Sequence, residues 1–249
     1  KYLIDIFTAN FGYSYIKHEH VSSILLRTLP ISLLISLPSF IVGNIIAVFS
    51  ACIAAYNKDS FWDRIITSIA TSCMSLSIII VTIAFQLLFC SYNGANLFPA
   101  QGWNVSTFYD YFQYASVPAM TACFITATYN IKFYRAILLE EKSSGYVKTM
   151  KAIGCPTYRI WSRYILKNCL IPITTRIIYS IPFVIIGGSL VIESFYGIPG
   201  VGGVTYEAII TGDLSIVKAV VTITTFLYCF LLITIDYIYS ILDPRISHS

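Results

Sequence analysis

Long uncharged stretches dominate the pattern of apolar and polar positions in this 249-residue chain. No Asp, Glu, Lys or Arg occurs between Arg27 and Lys58, or between Arg64 and Asp110. A helix needs about 20 apolar residues to cross the hydrocarbon core of a bilayer. The cluster SYNGANLFPAQGWN in the second stretch is typical of a helix-breaking loop. The pattern therefore predicts five membrane-spanning helices, near Leu29–Tyr56, Ile65–Cys90, Tyr114–Ile131, Leu170–Ile192 and Lys218–Ser240.

The composition also indicates a membrane protein of the all-α class, a polytopic helical bundle. Hydrophobic residues make up 57% of the chain and charged residues only 11%, whereas soluble domains carry about 25% charged residues. The basic residues lie between apolar spans and not on a soluble domain, which argues against nucleic-acid binding. The seven cysteines show no CxxC spacing, so they predict buried packing residues and neither a disulfide framework nor a zinc site.

The charges are unevenly distributed along the chain. Eight of the 16 Lys and Arg residues lie between Lys132 and Lys167. Because short cytoplasmic loops are enriched in Lys and Arg, this segment is predicted to be cytoplasmic, together with the 57–64 loop and the C-terminal tail. Residues 1–27 then fall outside, although they do not resemble a signal peptide. We therefore expect a sixth span upstream of Lys1.

The segment GYVKTMKAIGCPTYRIWSRYILKN, residues 145–168, predicts two short helices joined by a tight turn. Gly154 is placed to end the first helix, since glycine adopts positive φ without Cβ strain, and Pro156 is placed to open the second. Apolar residues recur at helical spacing on one side of each helix. These stripes are Tyr146, Val147, Met150 and Ile153 in the first helix, and Ile160, Trp161, Tyr164 and Ile165 in the second.

Basic residues lie away from these stripes. Lys148 and Lys151 belong to the first helix, and Arg159, Arg163 and Lys167 follow at intervals of four in the second. Such a pattern fits an interfacial helix whose basic side chains reach the lipid headgroups. It fits equally a surface that docks a cytoplasmic partner, and the residues alone leave both interpretations open.

The same segment resembles the cytoplasmic EAA loop of ABC importer permeases of the dipeptide, oligopeptide and nickel group. That group reads approximately YVxTAxAxG, followed by a basic helix ending RNALLP. The matching residues here are Tyr146, Val147, Thr149, Ala152 and Gly154, then Asn168 and Pro172.

Three further stretches resemble the same group in the same order. They are FGYSY with RTLPISLLIS near the start, VIESFYGIPGVGGVTYEAI at 191–209, and IDYIYSILDPRI at 235–246. The resemblance covers essentially the whole chain. It departs from the group at Lys148, which occupies the place of the motif glutamate, at Met150, where Ala is usual, and at Ile153, where Lys is common.

The resemblance implies the transmembrane domain of a type I ABC importer over residues 28–249, preceded by a periplasmic segment, 1–27. A loop at about 132–169 would couple the spans to a cytoplasmic ATPase, and its apolar stripe would be the docking knob. The residues it implies for this ATPase-coupling loop are Tyr146, Val147, Lys148, Thr149, Met150, Ala152, Ile153, Gly154, Arg159 and Arg163.

The resemblance also implies the partners and the location. These are a second homologous permease, two ABC ATPase subunits, a periplasmic or lipid-anchored solute-binding protein and the lipids of the bacterial inner membrane. The chain has no GxxxxGK[ST] motif, so ATP and magnesium are expected on the ATPase, with no cofactor, metal or catalytic group on this chain. Di- or oligopeptides are the expected cargo, with nickel, haem, sugar or another small solute as alternatives.

Few charges remain near the predicted spans. Arg176 and Asp236 are predicted to pair, since an unpaired charge at mid-membrane costs at least about 2.5–3.5 kcal/mol; snorkelling to the headgroups is the alternative. Glu193 and Glu207 are predicted to lie on a solvated outer face. GIPGVGG at 197–203 follows no predicted strand and is interpreted as a turn.

Other functional classes fit the sequence less well. KHEH at 17–20 offers two histidines on a loop, too few ligands for a metal site. A stand-alone carrier or channel would not need a docking loop, and no inverted repeat is evident. An intramembrane enzyme would need paired catalytic groups within spans that are almost free of titratable residues.

Overall fold

The computed structural model of the chain describes residues 11–90, 94, 97–182, 184 and 190–242, without the side chains of residues 236 and 238–242. Most of these residues are helical, which confirms the all-α prediction. The elements in chain order are β1 (Tyr13–Ser14), β2 (Glu19–His20), α1 (Val21–Tyr56), α2 (Phe61–Ser75), α3 (Ile78–Cys90), α4 (Phe108–Lys142), α5 (Gly145–Ala152), α6 (Thr157–Ile160), a π-helical turn (Trp161–Ile165), α7 (Leu166–Pro182), α8 (Leu190–Tyr196), α9 (Val201–Thr211) and α10 (Leu214–Leu242).

The described parts of the five predicted spans lie in helices, except at a break within the second, and the helix boundaries differ from the predicted ones. Among the described residues, Val21–Tyr56 and Leu214–Ile235 are long and apolar enough to cross a membrane, and α2 with α3 makes a third if the bent pair counts as one span. The third predicted span lies within α4, a helix that extends beyond the prediction at both ends. Of the fourth predicted span, residues 170–182 lie in α7 and residues 190–192 in α8, while residues 183 and 185–189 lie outside the described residues.

The second predicted span is wrong as a single straight helix. Helices α2 and α3 meet at an angle of 107°. Leu76 interrupts them with an extended backbone, φ −82° and ψ 141°. Neither Pro nor Gly occurs at this break, so the sequence carried none of the usual signals for it.

The chain forms two compact units. The first comprises Lys1–Ser39, Ile78–Ala122 and Ile178–Ser249, and the second comprises Phe40–Ser77 and Cys123–Ile177. In the first unit, the antiparallel hairpin β1–β2 pairs Tyr13 with His20. The buried core of this unit joins the start of α1 to α9 and α10, through Val21, Ile24, Leu25, Val201, Val204, Ala208, Ile216, Ala219 and Val220.

The second unit contains the basic segment, defined here as residues 132–169. Small residues of α1 at four-residue spacing, Ala47, Ala51 and Ala55, are completely buried and belong to the same core as the large side chains of α4. Gly43 allows the same close approach, because a Cβ there would lie 2.9 Å from the Cys123 carbonyl oxygen. The remaining core residues are Tyr134, Leu138, Val147, Ile160, Trp161, Ile165, Cys169 and Ile173.

Candidate functional site

The first helix of the basic segment is amphipathic, as predicted. Val147 is 1% exposed, and Tyr146 and Met150 are half-buried against the core of the second unit. Lys148 and Lys151 are exposed on the other side. An eight-residue helix is marginal in isolation, so this packing is what stabilises α5.

Gly154 ends this helix with a Schellman motif. Its φ is +80°, its N–H donates to the Lys151 carbonyl at 3.0 Å, and the N–H of Cys155 donates to the Met150 carbonyl at 3.0 Å. Met150 and Cys155, the two residues joined by the second hydrogen bond, both pack against the core of the second unit. The predicted helix stop at Gly154 is confirmed.

The second helix of the segment is not a separate short helix. Pro156 precedes α6, as predicted, but the chain then continues through the π-helical turn directly into α7. Three residues of its apolar stripe are buried, with Ile160, Trp161 and Ile165 at 1%, 7% and 0% exposure, and the fourth, Tyr164, is partly buried. A motion of the segment would therefore be passed directly to α7, because no loop separates them.

The predicted docking knob needs correction. Tyr146, Val147 and Met150 pack into the permease core, because they occupy the inward face of α5. Only Ile153, at 75% exposure, projects away from it. Tyr158, 79% exposed, adds a second outward apolar side chain that the sequence pattern did not identify.

The exposed surface of the segment is apolar at its turn and basic around it. A shallow hollow of about 400 Å³ is lined by Pro156, Tyr158, Arg159, Ser162 and Arg163. We call the exposed residues of this surface the tip. It consists of Lys148, Thr149, Lys151, Ala152, Ile153, Gly154, Pro156, Thr157, Tyr158, Arg159, Ser162 and Arg163.

A hydrogen-bonded group fixes the base of the tip. Glu141 Oε1 accepts from the Tyr146 hydroxyl at 2.7 Å and from Asn168 Nδ2 at 2.9 Å. Burial, followed by the hydrogen bond to Glu141, raises the pKa of the Tyr146 hydroxyl, so it remains a donor at neutral pH. Glu141 was not a sequence candidate, since it reads as an ordinary charge at a helix end.

An ion pair supports the same unit. Arg135 Nε and Nη2 donate to Asp63 Oδ1 and Oδ2, each at 2.7 Å, in the bidentate geometry that makes such pairs strong. Asp63 is only 3% exposed. The pair joins the first turn of α2 to α4 and was also missed, because its partners are 72 residues apart.

A protein-family model matches residues 43–248, and its description is "Binding-protein-dependent transport system inner membrane component". The chain belongs to this family. It is an inner-membrane permease of the ABC importer type, as the resemblance implied.

Named relatives align over nearly all of this chain and over about four fifths of their own length. The oligopeptide transport system permease protein OppB of Haemophilus influenzae is 28% identical over 99% of this chain and 79% of its own length. The dipeptide transport system permease protein DppB of Lactococcus lactis is 28% identical over 98% of this chain and 78% of its own length. A chain of the methionine ABC transporter MetNI, solved in inward-facing conformations, shares the fold with a TM-score of 0.68, 15% identity, and coverage of 89% of this chain and 97% of that one.

The Glu193 region of the permease differs from the prediction of a solvated face. Glu193 is 1% exposed, and its Oε2 accepts from the Gly203 N–H at 3.1 Å in the first turn of α9. Ser32 Oγ accepts from the Val201 N–H at 2.8 Å. Glu193 and Ser32 thus cap the N-terminus of α9, because the N-cap residue, Gly200, has no side chain that could accept these hydrogen bonds.

Glu207 fits the prediction, because it is exposed. Its Oε2 lies 2.6 Å from Lys17 Nζ. Gly197, with φ +68°, turns the chain between α8 and α9. Residues 197–200 of GIPGVGG form the predicted turn, whereas residues 201–203 already belong to α9.

The predicted pair between Arg176 and Asp236 stays a prediction. The Asp236 side chain lies outside the described residues. The Arg176 guanidinium carbon lies 5.1 Å from the centre of the Phe133 ring, in the geometry of a cation–π contact.

Proposed function

We propose that this permease forms the translocation path of an ATP-driven importer of di- or oligopeptides. The observation that carries the cargo assignment is the near-complete alignment with permeases whose names state dipeptide or oligopeptide transport. ATP hydrolysis is assigned to a separate pair of cytoplasmic subunits. A second homologous permease and a solute-binding protein complete the importer.

The basic segment is assigned to the cytoplasmic side and its tip to the ATPase. Lys148, Lys151, Arg159, Arg163 and Lys167 are all exposed, which agrees with the positive-inside bias of short loops. The exposed Ile153 and Tyr158 supply apolar contacts between these cations, and tyrosine is among the residues that dominate interface energies. The basic side chains would meet acidic groups at the rim of the ATPase surface.

The second permease and lipid are assigned to the outward faces of the spans. Only 17% of the apolar window of Leu214–Ile235 is buried within the chain. An exposed face this apolar needs either lipid or another helix against it. Residues 11–27 and the α8–α9 turn are assigned to the outer side, where the solute-binding protein docks.

Co-purification of the ATPase tests the coupling assignment. Tyr158→Ser should lower the ATPase recovered from detergent by roughly tenfold or more, because losing a hot-spot side chain costs about 2 kcal/mol. Tyr15→Ser is the matched control, since Tyr15 is 80% exposed in the β1–β2 hairpin and Tyr158 is 79% exposed. Equal recovery with both variants would contradict the docking role of the tip, and no ATPase on the unaltered chain would contradict the importer assignment.

Uptake of a labelled dipeptide by the reconstituted importer tests the cargo. ATP-dependent uptake that unlabelled tri- and tetrapeptides compete away is expected. Uptake of nickel or a sugar in place of the peptide would contradict the peptide assignment while leaving the permease fold and the docking surface intact.

A further inference from the structure

Two adjacent residues at the end of α4, Glu141 and Lys142, hold the two halves of the basic segment to each other and to the end of α1. Lys142 Nζ donates to the carbonyl oxygens of Ala55 at 2.8 Å and Tyr56 at 3.2 Å. These are the last two residues of α1. Carbonyls at a helix C-terminus have no partner within the helix and carry the negative end of its dipole, so a cation is well placed there.

Lys142 also reaches the second half of the basic segment. Its Nζ lies 5.3 Å from the centre of the Trp161 ring, within the range of a cation–π contact. The Tyr56 ring lies 5.3 Å from the same indole, and Trp161 is only 7% exposed. One ammonium group therefore connects the end of α1 to the helix that follows the Gly154 turn.

Glu141, the neighbouring residue, contacts both halves of the basic segment. Its carboxylate accepts from Tyr146 in the first turn of α5 and from Asn168 in the first turn of α7. The Asn168 amide also lies 3.3 Å from the Tyr146 hydroxyl. One carboxylate thus holds α5 to α7, the helix that continues from the second half of the tip, and its charge strengthens each hydrogen bond.

We propose that Glu141 and Lys142 are positioning residues that make the tip move together with α1 and α7. The inference rests on the proposed coupling function and extends it to the path by which motion leaves the tip. The tip cannot turn relative to these helices without breaking charge-assisted contacts in a partly buried place. ATP-driven displacement of the tip is therefore passed on to α1 and α7.

The test measures how many substrate molecules are transported per ATP hydrolysed by the assembled importer in proteoliposomes. Lys142→Met keeps an unbranched side chain, one atom shorter, but removes the charge and both hydrogen bonds. We expect the ratio of transported substrate to hydrolysed ATP to fall by roughly two- to thirtyfold, the range for residues that carry coupling between sites. The rate of ATP hydrolysis and the amount of assembled complex should stay unchanged. Lys142→Arg, which again donates to carbonyls and stacks on an indole, should restore the ratio.

Lys132→Met is the matched control, because Lys132 lies on the same helix with an exposed side chain. Glu141→Gln is a second variant, of nearly unchanged shape, and it tests the inference if Lys142→Met does not fold. Its ratio of transported substrate to hydrolysed ATP should fall less than that of Lys142→Met, since an amide oxygen still accepts a hydrogen bond.

Three outcomes are distinguishable. A ratio equal to that of the unaltered importer in both Lys142→Met and Glu141→Gln would overturn the inference. A parallel loss of complex, hydrolysis and transport, with the ratio unchanged, would also overturn it, because that is the signature of a role in folding alone. Failure of the unaltered permease to bind any ATPase would instead overturn the proposed function.

Discussion

The regions around Asp63 and Glu193 both bury a carboxylate, but they hold it in different ways. Asp63 is 3% exposed and receives two hydrogen bonds from the Arg135 guanidinium. Glu193 is 1% exposed and receives a backbone N–H from Gly203, ten residues along the chain. One region uses a long-range ion pair and the other uses the start of a helix.

This difference determines what each carboxylate stabilises. The ion pair joins α2 to α4 across 72 residues and depends on both side chains being present. The Glu193 contact shapes a local turn, together with Ser32, and depends on close approach of the backbone. Side-chain deletion should therefore damage the first region most, whereas added bulk should damage the second.

Removal of the Asp63 carboxylate has the largest expected effect. Asp63→Ala leaves the Arg135 guanidinium in the protein without its counter-charge, and breaking a buried pair in this way costs about 3–5 kcal/mol. The loss of stability should lie near the lower end of this range, since the Arg135 side chain is 23% exposed and can reach water. Thermal unfolding of the purified permease in detergent measures this loss.

A double variant provides the control for this prediction. Asp63→Leu with Arg135→Met removes both charges, and replacing a buried pair by apolar groups is often close to neutral. A double variant as unstable as Asp63→Ala would show that helix packing, and not the unpaired charge, sets the cost.

Added bulk at Gly200 tests the other region. A Cβ there would lie 2.5 Å from Ser32 Oγ and 2.6 Å from Glu193 Cδ, and both side chains are buried. Gly200→Ala should therefore cost about 1–3 kcal/mol through overpacking. Gly145→Ala is the matched control, because its Cβ would meet nothing within 4 Å; equal Tm values for the two variants would contradict the close approach at Gly200.

Backbone strain alone is tested at Gly154 in the basic segment. A Cβ there meets nothing within 4 Å, but φ is +80°. Gly154→Val should thus cost about 1–2 kcal/mol from the left-handed conformation, and Gly154→Asn should cost less, since Asn is the other residue found at this position. Equal thermal stability of both variants and the unaltered chain would mean that the turn is free to rearrange.

The sequence was informative where a local pattern determines the structure. Helical spacing identified the apolar stripe of α5, although most of that stripe packs in the core and is not the predicted docking knob. The Gly154 stop followed from the need for positive φ. Asp63–Arg135 and the Lys142 contacts were missed because they join residues far apart in the chain. Glu193 was misassigned because its neighbours suggest an exposed turn, while its burial depends on backbone donors that no side-chain pattern reveals.

The exposed ion pair between Lys17 and Glu207 should give the smallest effect. Its atoms are 2.6 Å apart, as close as those of the Asp63 pair, but the two side chains are 26% and 56% exposed. Solvent screening limits such pairs to about 0.2–1 kcal/mol, so Lys17→Met should shift the Tm only slightly. The shift should shrink further in high salt, which screens exposed charges. A loss as large as that of Asp63→Ala would mean that distance, and not burial, determines how much an ion pair stabilises this permease.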